Sequence, residues 1–124
     1  MTGAELKALG QRKTSACNCS LKICDGWESV SDERWPAYQL KLEGTLRTPL
    51  PEGQMDLSFE EYHPQGTRYD SANAPIAPPY FPYNRCDVYA CSNCRCAVLK
   101  YTEYGGYYVD HRVRRVAPDL VIDN

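Results

Sequence analysis

The chain has 124 residues, a formal charge of -2 and an isoelectric point near 5.6, which amounts to one domain with no bulk attraction to nucleic acid or anionic membrane. Residues 1–84 carry eight Lys/Arg against eleven Asp/Glu and residues 85–124 six against five, so no basic tail exists in either part. Seven cysteines and ten tyrosines beside only two Phe and two Trp make a thin apolar core, for which a metal staple is useful.

Thr2 is placed to cap a short helix over residues 3–9, with Ala4, Leu6, Ala8 and Leu9 apolar and Gly10 as the stop. Residues 1–16 therefore read as a short helix or a flexible N-terminus. The opening Met1 to Gly10 lacks the apolar run of a signal peptide, and no stretch reaches the roughly 20 apolar residues of a membrane span. The expectation is a cytoplasmic protein without a membrane partner. Clustered cysteines in a reducing compartment bind metal more readily than they form disulfides.

A cysteine-rich segment follows, with Cys17, Cys19 and Cys24 and a turn at Asp25-Gly26. Strand-like runs are predicted around Tyr38 to Leu42 and Leu57 to Tyr62. From Ser71 to Asn84, Pro75, Pro78, Pro79 and Pro82 exclude a helix interior or a central strand. The interleaved Ile76, Tyr80, Phe81 and Tyr83 predict an extended connector packed across the domain.

The C-terminal third reads as a strand from Arg85 to Ala90, a knuckle from Cys91 to Cys94, a strand from Cys96 to Tyr104, a turn at Gly105-Gly106 and a strand from Tyr107 to Val116. A two-residue turn would pair Tyr104 with Tyr107, Thr102 with Val109, Lys100 with His111 and Val98 with Val113. Val98, Val113, Thr102 and Val109 then form a core face, and Leu99, Tyr101, Arg112 and Arg114 share the opposite one. The expected fold is mainly β with little helix. It is a small antiparallel sheet carrying a zinc-ribbon-like knuckle and a C-terminal β-hairpin, with residues 1–124 as one zinc-stabilised domain.

Cys-x2-Cys sets two thiolates on one tight turn, and tetrahedral Zn2+ needs four such ligands. The expected quartet is Cys17, Cys19, Cys91 and Cys94, with Cys24 and Cys86 as alternatives. Alternation along a regular strand puts Cys86 and Cys91 on opposite faces, which weakens Cys86, and Cys96 reads as a small buried apolar residue. Catalysis is not expected: Ala90 stands where a deaminase motif needs proline, and neither His63 nor His111 is followed by x-Glu. There is also no phosphate loop and no nucleophile elbow. Glu60-Glu61-Tyr62-His63 reads as an acidic surface stretch.

The segments Cys24-Asp-Gly-Trp-Glu28, Phe59-Glu-Glu-Tyr-His-Pro64, Gly66-Thr-Arg-Tyr69, Phe81-Pro-Tyr-Asn-Arg-Cys-Asp87 and Tyr101-Thr-Glu-Tyr-Gly-Gly-Tyr-Tyr108, with Arg112-Val-Arg114, resemble a family of small proteobacterial cysteine-motif, zinc-ribbon-like proteins. The likeness covers about residues 17–123. In that family the knuckle is Cys-x2-Cys-Gly, which implies Cys91 and Cys94 as ligands; here Arg95 replaces the glycine. Small bacterial proteins of this style are similar to immunity proteins that neutralise interbacterial toxins.

The expected function is thus a non-enzymatic, zinc-stabilised binding module for a protein partner, a cognate toxin by that likeness. Tyr101, Tyr108, Arg112, Arg114, Asp56, Glu60 and Glu61 are the expected contact residues, since Tyr and Arg anchor interfaces. The alternative is a zinc-ribbon nucleic-acid-binding or transcription accessory protein using the same hairpin face.

Overall fold

A computed structural model describes residues 1–12, 24, 26–47, 59–92, 95–104 and 109–122. Helix α1 spans Gly3–Gln11, with Thr2 as its N-cap as expected and a capping box completed by Glu5. The Thr2 hydroxyl accepts from the Glu5 N–H at 3.1 Å, and the Glu5 carboxylate accepts from the Thr2 N–H at 3.1 Å. Gly10 lies inside the helix and does not stop it. A side chain there would meet Val116 Cγ1 at 2.9 Å, so the missing Cβ lets the helix lie against the C-terminal segment.

The sheet comprises β1 Glu28–Ser29, β2 Leu40–Thr45, β3 Asp87–Cys91, β4 Ala97–Tyr104 and β5 Val109–Arg115. Its order is β1-β5-β4-β3-β2 and every pairing is antiparallel. A bulge between Leu42 and Gly44 shifts the register of β2 on β3, and Met1 packs over Gly44 there. The mainly β class with little helix is as expected. The expected strand over Leu57 to Tyr62 is absent from its described residues, 59–62. Their partners are the proline-rich segment instead: Phe81 N–H donates to Glu60 O at 2.8 Å, and Phe59 and Tyr62 pack on the rings of Phe81 and Tyr80.

The hairpin register is offset by two residues from the expected one. Tyr104 pairs with Val109, Thr102 with His111, Lys100 with Val113 and Leu99 with Arg114. Four positions, 105–108, separate the paired ends, where a two-residue turn was expected. An even offset leaves each side chain on its predicted face. What changes is which face is covered, because core lies on both sides of the sheet.

On one side Leu6 and Leu9 of α1 pack with Trp27, Leu46, Ile76, Tyr83, Val88, Leu99, Tyr101, Val116 and Val121. The proline-rich segment crosses this side as expected, bringing Ile76 and Tyr83 into the core, and Ile76 bridges to Val121. On the other side is a smaller cluster of Cys24, Val30, Cys91, Cys96, Val98 and Val113, flanked by Trp35, Leu40 and Tyr89. Among the described residues no helix is long and apolar enough to cross a membrane.

Candidate functional site

Pleating sorts the described cysteines into two environments. Cys86, just before β3, lies with Leu46 and Val88 on the α1 side. Its thiol donates to the Pro82 carbonyl at 3.3 Å, and burial, then the neighbouring Asp87 carboxylate, push its pKa well above the usual range. Cys86 is a neutral packing thiol. Cys91, at the far end of β3, points to the other side, where Cys24 and Cys96 are buried in the same cluster. The expected separation of Cys86 from Cys91 holds.

The turn after Cys91 returns directly to β4. Arg95 N–H donates to Cys91 O at 2.8 Å, and Cys91 N–H donates to Cys96 O at 3.0 Å. Arg95 has φ +59°, the left-handed region that favours glycine. The backbone thus adopts at Arg95 the form a glycine takes readily, although the residue differs. Arg34 Nη2 lies 3.5 Å from Cys24 Sγ and donates to it. Of the expected quartet only Cys91 is described; Cys17, Cys19 and Cys94 lie outside the described residues, among which no three Cys, His, Asp or Glu side chains converge to hold an ion.

The expected contact face is largely interior. Arg114 is fully buried, donating to the Tyr83 hydroxyl, to Ala74 O at 2.8 Å and to Ala72 O at 3.2 Å. Tyr101 is buried against Trp27 and Phe81, and its hydroxyl bonds those of Tyr69 and the Glu103 carboxylate. Arg112 is half-buried and donates to Asp110 at 2.7 Å and to the Tyr69 hydroxyl at 3.4 Å. That hydrogen bond holds the Asp110 carboxyl below the usual carboxylate range. Tyr101 and Arg114 therefore present no docking surface, and the nucleic-acid alternative loses the same two residues. They are buried because residues 69–84 cover this side of the hairpin.

Glu60 is exposed, as expected of a surface stretch, and Glu61 bonds His63 Nε2 at 2.8 Å. Tyr108 and Asp56 lie outside the described residues.

The opposite face of the hairpin is open at its far end. Tyr104 and Val109, directly paired, are 79% and 57% exposed. Alternation places them on the side of Cys96, so one face carries the cysteine cluster at one end and exposed apolar groups at the other, about 27 Å along β4. Two recesses of opposite charge flank the pair. One is lined by Arg47, Arg85, Asp87 and Lys100, and the other by Asp32, Glu33, Asp110 and His111. Hydropathy and alternation both place Val109 on the core face, and no local signal marks this end of it as exposed. No family model, curated protein or solved structure matches the chain.

Proposed function

We propose that this protein is a non-enzymatic, zinc-stabilised module that binds a protein partner through the free end of its hairpin. The exposed Tyr104–Val109 pair between recesses of opposite charge carries this reading. An apolar centre with a charged rim is the anatomy of a protein interface. Tyrosine is also among the residues that dominate binding energy.

The zinc belongs to the cysteine end of the same face. Cys91 is a ligand, Cys17, Cys19 and Cys94 complete the quartet, and Cys24, buried in the same cluster as Cys91, is the alternative to one of the N-terminal pair. Supporting this are the shared burial of Cys24 and Cys91, the Arg34 contact to the Cys24 sulfur and the left-handed Arg95 after the Cys-x2-Cys pair. The ion would tie the segment before β1 to the turn between β3 and β4, a structural role.

The partner is a toxin, by the likeness to small bacterial immunity proteins. Co-expression with proteins encoded beside it, followed by pull-down, tests this. A captured toxin whose binding is lost on changing Tyr104 and Val109 together to serine is the expected result. A chain whose deletion leaves toxin sensitivity unchanged, and which captures no neighbour, would end the proposal.

A further inference from the structure

The positive recess has a volume of about 380 Å³ and opens beside Tyr104. Its charged lining is Arg47, Arg85 and Lys100 against the single carboxylate of Asp87. Asp87 is already engaged by Arg47, Nη2 to Oδ2 at 2.5 Å. Lys100 stands directly opposite Asp87 in the β3–β4 register, the position from which a cross-strand ion pair would form. Its ammonium is instead over the Trp35 ring, 4.3 Å from the centroid, with Tyr89 at 6.0 Å. Among the described residues no carboxylate lies within ion-pair reach of Lys100.

We propose that this recess seats a carboxylate from an acidic segment of the protein partner, taken by Lys100 and Arg47, with Tyr104 packing on the adjoining chain. The inference rests on the protein-binding reading above and names the chemistry of the partner. The Arg47 guanidinium offers a carboxylate a planar fork, and the Lys100 ammonium adds a point charge beside it. Thr102 and Tyr89 line the same recess and add hydroxyls, and among the described residues that line it there is no glycine and no helix N-terminus to cradle a phosphate. The rings of Tyr89 and Tyr101 also line the recess, and the exposed Tyr104 offers apolar surface to a polypeptide passing over it.

The probe is a fluorescently labelled glutamate-rich peptide containing one tyrosine, followed by anisotropy at low and raised salt. A serine-rich peptide and a single-stranded oligonucleotide serve as comparisons. The glutamate peptide is expected to bind, to weaken as salt rises, and to lose about tenfold in affinity with Lys100→Gln and with Arg47→Gln. Arg47 is well exposed, so its variant keeps the test valid should Lys100→Gln disturb the packing on Trp35. No binding of the glutamate peptide, unchanged affinity in both variants, or tighter binding of the oligonucleotide through the same residues would overturn the inference. A partner captured equally well by wild type and by both variants would sustain the protein-binding reading while removing the carboxylate seat.

Discussion

Arg114 donates to the Tyr83 hydroxyl beneath the sheet, where both side chains are buried. The same guanidinium reaches two backbone carbonyls, Ala72 and Ala74, so it pins the proline-rich segment to β5. Arg114→Met strands these acceptors and is expected to cost about 3 kcal/mol or more, since each unsatisfied buried group costs roughly 1–3 kcal/mol. Arg114→Lys should rescue little, because an ammonium cannot reproduce the planar fork. Tyr83→Phe should cost about 1–3 kcal/mol. Urea unfolding midpoints check all three, and a wild-type midpoint for Arg114→Met would contradict the pinning role.

Alkaline pH should unfold the protein. Burial raises the phenol pKa values of Tyr69, Tyr83 and Tyr101, and raises the Cys86 thiol as well. A folded pKa above the unfolded one means that the unfolded chain releases its proton first. The contribution is full below the unfolded values, about 8.5 for Cys and 10 for Tyr, and is lost as pH rises toward the folded ones. Stability measured in urea should therefore fall above about pH 9, and Cys86→Ala should remove the earliest part of that fall. A midpoint unchanged up to about pH 11 would contradict this.

Replacing Arg95 with glycine should stabilise the turn. A left-handed conformation costs an L-residue about 1–2 kcal/mol, while glycine's greater unfolded-state freedom returns part of that. The expected net gain is about 0.5–1 kcal/mol in denaturant unfolding. Arg95→Val, a branched residue with positive φ, should lose stability.

Gly26 is fixed by proximity. A Cβ there would sit 2.5 Å from the carbonyl oxygen of Asp70, a backbone atom that cannot swing aside. Gly26→Ala should lower stability by about 1–3 kcal/mol, the usual cost of overpacking. A thermal midpoint equal to wild type would contradict the close approach of these two segments.

The sequence made much of the framework readable because its local signals agree. Thr2 announced the helix start, and period-two alternation sorted Cys86 from Cys91 and Val98 from Leu99. Alternation alone does not say what covers a face. Arg112 and Arg114 looked like a surface because arginine usually is one; the carbonyls that bury Arg114 belong to Ala72 and Ala74, about 40 residues away, and no local pattern announces them. The hairpin register failed for a related reason. Gly105-Gly106 favours a tight turn locally, but the pairing Leu99–Arg114 brings the guanidinium to those distant acceptors.

Zinc content is decisive for the two-sided arrangement of cysteines. Elemental analysis of the purified protein should find about one zinc per chain in wild type and in Cys86→Ala, whose thiol lies on the opposite face, and a loss of that zinc in Cys91→Ser and Cys94→Ser. Metal-free wild type, or stoichiometric zinc retained in both serine variants, would contradict a clasp built on Cys91.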